Sequence, residues 1–122
     1  MEKRLVLSFS DGDDILEGVK QAAVEHDVDF AKFAAAEGCI KDFQLISDDY
    51  KNISTVSEDF VVDKISGRVV KQKDSHNVNL HFTLVKRAAG KTLPVSGELK
   101  KGIASGDLNI VLTLSNVKNI IH

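Results

Sequence analysis

The sequence predicts an α+β domain: an antiparallel β-sheet with a main helix packed on one face. Three observations carry that expectation. Period-two alternation of apolar and polar residues recurs along the chain, most cleanly over 78–84 and 108–114; one stretch, Ile15 to Ala23, repeats at helical spacing instead; and short turns join the pieces. With 122 residues, 43% of them apolar, the chain is large enough to bury a core without disulfides or metal, and it reads as a single domain over 1–122.

Taken in order, Leu5, Leu7 and Phe9 alternate with Arg4, Val6 and Ser8 as an opening strand. A helix start follows. Asp11 or Asp13 can cap the first amides, and Ile15, Leu16, Val19, Ala22 and Ala23 form the apolar stripe, which stops near His26-Asp27. The segment from Val28 to Ala36 is ambiguous because of its alanines, and is taken as a strand since Asp and Gly bound it closely; Glu37-Gly38 then makes a turn or bulge before a strand from Ile40 to Ile46. Ser47-Asp48-Asp49 is a turn, Tyr50 to Ser57 a short polar strand or an exposed ribbon, and Phe60 to Val70 a β-branched strand with a bulge at Gly67. Lys71 to Asn77 reads as a charged loop.

The most informative stretch is the hairpin that follows. Val78, Leu80, Phe82 and Leu84 face a core, with Asn79, His81 and Thr83 on the other side; after Arg87-Ala88-Ala89-Gly90, Leu93, Val95 and Leu99 alternate with Thr92, Pro94, Ser96 and Glu98. If Lys86 pairs with Lys91, Asn79 lies opposite Glu98 and His81 opposite Ser96, so that an amide, an imidazole, a hydroxyl and a carboxylate converge on one face. Lys100-Lys101-Gly102 is a connection to the final strand, and the tail from Asn116 to His122 ends in two isoleucines.

Composition excludes several functions. A net charge of −2 and the lack of a long basic cluster argue against direct DNA binding. The basic groups Lys71-Gln72-Lys73, Lys86-Arg87 and Lys100-Lys101 read as solvated strand ends. Cys39 is the single cysteine, a small apolar residue suited to a reducing compartment, and nothing resembles a leader or a run of ~18 apolar residues, so a cytoplasmic protein away from membranes is expected. The eight glycines are scattered outside any phosphate loop, and Ser96, His81 and Glu98 lack a nucleophile elbow.

The hairpin also resembles that of the plants-and-prokaryotes conserved (PPC) domain, stand-alone prokaryotic type, where a His-x-His pair precedes Gly-Gly-His-Leu. The matching letters are Asn79-Leu80-His81 and Ser96-Gly97-Glu98-Leu99. Gly12-Asp13-Asp14-Ile15-Leu16 is similar to the family's helix opening, Glu37-Gly38-Cys39-Ile40 to its Gly-Ala segment, and Ile65-Ser66-Gly67-Arg68-Val69 to its Leu-Ser-Gly strand end. The resemblance implies a homotrimer in which a neighbouring subunit covers the sheet face that the helix leaves bare. The AT-hook that plant relatives carry has no counterpart here, where the single proline is Pro94. It also implies a three-histidine metal site, of which His81 is retained while Asn79 and Glu98 replace the other two; His81 and Glu98 could still hold a divalent metal such as zinc with a third group. Two functions follow as expectations: a non-enzymatic, homotrimeric domain for protein interaction or ligand sensing, or a metal- or small-molecule-binding protein or enzyme using a degenerate His81/Glu98 site with Asn79 and Ser96 beside it.

Overall fold

The structure, a computed structural model, describes residues 3–88 and 90–115. The elements run β1 (Lys3–Phe9), α1 (Ile15–Glu25), β2 (Phe30–Ile46), β3 (Ile53–Val56), β4 (Phe60–Gln72), β5 (Ser75–Ala88) and β6 (Lys91–Ser115). Six antiparallel strands and one short helix make the domain more strongly β than the α+β expectation. The expected tail, 116–122, lies outside the described residues.

Strand order is β1-β6-β5-β4-β2-β3, and β2 also pairs with β6. That extra pairing closes a circuit β6–β5–β4–β2 and back to β6, so the sheet curls on itself around its core. Among the described residues, β1 pairs with β6 alone and β3 with β2 alone, leaving two open edges. Inside the circuit, Ile40, Phe43, Leu80, Phe82, Leu84, Leu108 and Ile110 are almost fully buried, and Phe43 meets Phe60 edge-on at 5.4 Å between centroids. Ile15, Val19 and Ala23 of α1 join the same core.

The helix cap is Asp14 rather than Asp11 or Asp13. Asp14 Oδ1 accepts from the Glu17 amide at 2.9 Å, while Asp13 takes the Ser10 amide and Asp11 takes that of Gly106. Of the turn or bulge expected at Glu37-Gly38, the structure has the bulge: one strand, β2, runs through it with register shifts at Phe33/Ala35 and Gly38/Cys39. Two other expected breaks are lost or shortened. Lys100-Lys101-Gly102 falls within β6, and the loop expected over 71–77 shrinks to Lys73-Asp74, with Lys73 at φ 52°. The irregularity in β4 lies between Val62 and Lys64, whereas Gly67 pairs in register with Leu80.

The β5–β6 hairpin also differs in register. Ala88 pairs with Lys91 and Lys86 with Leu93, because the loop is two residues long rather than four. A slide of two residues keeps every side chain on its expected face and changes only its partner. His81 therefore stands opposite Glu98, and Ser96 opposite Thr83. Leu93, expected to face the core, is half exposed near the hairpin tip. Among the described residues, no helix is long and apolar enough to cross a membrane.

Candidate functional site: a polar cavity at the end of β2

A cavity of about 150 Å³ opens where the turn after β2 folds over β5 and β6, and is lined by Ile46, Ser47, Asp48, Tyr50, Asn79, His81 and Glu98. Three of the four residues singled out from sequence thus come together: Asn79, His81 and Glu98. Ser96 does not join them. Its hydroxyl lies 3.0 Å from that of Thr83, which takes the nucleophile out of any Ser-His-Glu triad.

The turn supplies the residues that sequence reasoning missed. Tyr50, at φ 58°, reverses the chain, and its amide donates to the Ser47 carbonyl at 2.8 Å. The Ser47 hydroxyl donates to Asp49 Oδ1, which also accepts from the Lys51 amide at 3.0 Å. Those two donors, the hydroxyl foremost, hold the Asp49 carboxyl below the usual aspartate range. The turn is thereby fixed by its own short polar residues. It projects Asp48 and Tyr50 across to the hairpin.

There, His81 Nε2 lies 2.9 Å from Asp48 Oδ1, and the Tyr50 hydroxyl donates to Glu98 Oε1 at 3.3 Å. Lys100 Nζ sits 3.9 Å from the other Glu98 oxygen. The Glu98 side chain is 21% exposed and that of His81 29%, against 86% for Asp48, so the pair from the sheet forms the sheltered floor and Asp48 the wet rim. The signal for Asp48 was its place in a turn next to the sheet; the contact itself joins segments far apart in sequence. An imidazole, two carboxylates and a phenol can accept and pass protons or bind a cation.

The metal implied for this position finds suitable nitrogen and oxygen donors in His81 and Glu98, with Asp48 as a candidate third. Their donor atoms face the turn instead of one point: Nε2 meets Asp48 and Oε1 meets Tyr50. Among the described residues, no group of three or more His, Cys, Asp or Glu is arranged to hold a metal ion. His76, the other histidine near the hairpin, is committed elsewhere, its Nε2 lying 2.8 Å from the Val28 carbonyl oxygen. His26 closes the C-terminus of α1, and His122 lies outside the described residues.

Fold and site together define a small antiparallel β domain, curled into a closed circuit, with a polar cavity under one turn. The sequence model of the Plants and Prokaryotes Conserved (PCC) domain matches residues 1–115, and the chain belongs to that family. No curated protein matches the sequence significantly. Among solved structures, a plant- and prokaryote-conserved (PPC) protein of Pyrococcus horikoshii is similar with a TM-score of 0.76 at 14% identity, over 93% of this chain and 80% of that one. A metal-containing protein of Archaeoglobus fulgidus gives 0.76 at 20% identity, with the same two coverages of 93% and 80%. A protein of Bacteroides thetaiotaomicron described as a candidate DNA-binding protein gives 0.77 at 18% identity, over 93% and 78%. Identities this low carry the fold alone.

Proposed function

We propose that this chain is a non-enzymatic PPC-type domain that assembles as a homotrimer and acts in the cytoplasm through protein interaction or ligand sensing. The observation that supports it is the apolar surface beside the open edges. Val6 on β1 is 57% exposed and Ile53 on β3 is 61% exposed, each on a strand with one unpaired side. Unpaired strand edges carrying apolar side chains favour a partner chain. Native mass spectrometry of the untagged protein, purified without chelator, tests it: a mass three times that of the chain is expected, and a stable monomer would overturn the reading.

A second reading keeps His81 and Glu98 as a metal- or small-molecule site. Its support is the sheltered cavity they floor, together with the metal-containing description of the Archaeoglobus fulgidus protein. His81→Ala then abolishes uptake of added zinc and leaves the assembly intact; unchanged uptake would rule this site out. Direct DNA binding is not part of either reading. The DNA-binding description of the Bacteroides thetaiotaomicron protein belongs to that protein, and each basic cluster here has one cation held by a carboxylate: Lys71 by Asp27, Lys86 by Glu58, Lys100 by Glu98.

A further inference from the structure

A second concavity lies on the outer face of the sheet, beside the His81 cavity, with which it shares Asn79. It is a groove of about 600 Å³ across β2, β4 and β5, lined among others by Lys32, Phe33, Ser66, Arg68, Asn77 and Asn79. Lys32 and Arg68 are direct cross-strand partners, and Arg68 in turn pairs with Asn79. Two cations placed opposite each other on adjacent strands repel, at a cost of a few tenths to about 1 kcal/mol. Lys41, Lys71, Lys86 and Lys100 are each answered by a nearby carboxylate. Here no Asp or Glu lines the groove, and among the described residues neither cation has an ion-pair partner within 4.0 Å.

We propose that this groove binds a small organic phosphate, with its phosphoryl group between Lys32 and Arg68. A planar guanidinium and an ammonium side by side suit the oxygens of a phosphoryl group. Ser66, Asn77 and Asn79 add neutral donors, and Val70, partly buried on the same face as Ser66 and Arg68, supplies an apolar patch for the rest of the molecule. The volume falls in the range of small-molecule sites and exceeds what a lone inorganic ion fills. A long polyanion is disfavoured because the chain is net acidic and lacks the extended basic surface that would neutralise successive phosphates. His81 does not line this groove.

The test is an NMR titration of the isotope-labelled full chain with inorganic phosphate, phenyl phosphate and a short DNA duplex at physiological salt. Phenyl phosphate is expected to give saturable shifts at the amides of Lys32, Ser66, Arg68 and Asn79, tighter than inorganic phosphate. Lys32→Gln and Arg68→Gln should each weaken that binding about tenfold or more, the loss of one charge-assisted contact to phosphate. Because each also removes the cross-strand repulsion, each should raise the melting temperature by about 1 to 4 °C. Absence of saturable shifts, equal shifts in the variants, or shifts at these residues with the duplex alone would each overturn the proposal.

Discussion

His81 on β5 and Glu98 on β6 are direct cross-strand partners, and both are tied to the same turn, His81 through Asp48 and Glu98 through Tyr50. The turn after β2 is thus clasped to the hairpin at two points. Asp48→Asn and Tyr50→Phe should each lower stability by less than about 1 kcal/mol, because both clasps are partly wet. Urea denaturation measures the loss. The double variant should open the cavity, seen as faster amide exchange over residues 47–52 with the core strands unchanged.

Gly67 should be among the least replaceable residues of the sheet. Its φ is +115°, and a Cβ there would collide with the carbonyl oxygen of Asn79 on the paired strand. Gly67→Ala must strain the backbone and force β4 and β5 apart, at a cost of about 2 kcal/mol or more. Gly90, at φ +77° in the hairpin loop, has open space where its Cβ would go. Gly90→Ala carries the conformational cost alone, about 1 kcal/mol. Equal losses in urea melts would contradict this account.

Core truncation at the aromatic pair should cost far more. Phe43 is fully buried and packs edge-on against Phe60. Phe43→Ala should destabilise by about 3 to 5 kcal/mol, and Phe43→Leu by clearly less, since it leaves a smaller void. Thermal and urea denaturation of both variants give the comparison.

The pH dependence has two arms. The Gly106 amide, then Lys41, hold the Asp11 carboxyl below its usual range, so Asp11 favours the fold above the unfolded aspartate value of 3.8. That contribution is lost as pH falls through the lowered folded value. At the other end, Asp27 raises the Lys71 ammonium above 10.5, so its contribution is complete below that value and lost as pH rises through the folded one. Asp11→Asn should make the acid arm of a stability-against-pH curve shallower, with Asp49 keeping its own share, and Lys71→Gln should flatten the alkaline arm. Each should leave the other arm in place.

Most elements were legible because their signals are local. The alternation at Leu80, Phe82 and Leu84, and the stripe Ile15, Val19 and Ala23, point inward as expected. What local chemistry misjudged was where strands stop. Gly102 reads as punctuation, yet it is buried within β6, where its missing side chain makes room for Phe43, Leu99 and Ile40. The hairpin register hinged on a loop with no Asn-Gly type signal to set its length. At the site, Asn79, His81 and Glu98 were legible because alternation puts them on one face. Asp48 and Tyr50 were not, since the turn reaches them only through the closure of the sheet. The Lys32–Arg68 pair was hidden for the same reason: scanning for basic runs along the chain cannot find cations that adjoin only across strands.

The length of β6 has a consequence for how the chain acquires its shape. This one strand, 25 residues long, pairs with β5, β2 and β1 in turn, and its far end meets the first strand, as in Lys3 with Leu114. During synthesis β1 and the middle of β2, residues 33–38, wait for a partner that is made last. Such distant pairings close large loops before any contact rewards them, which makes folding slow for the chain's size. On the ribosome, the open strands must be kept from other chains until the last residues emerge.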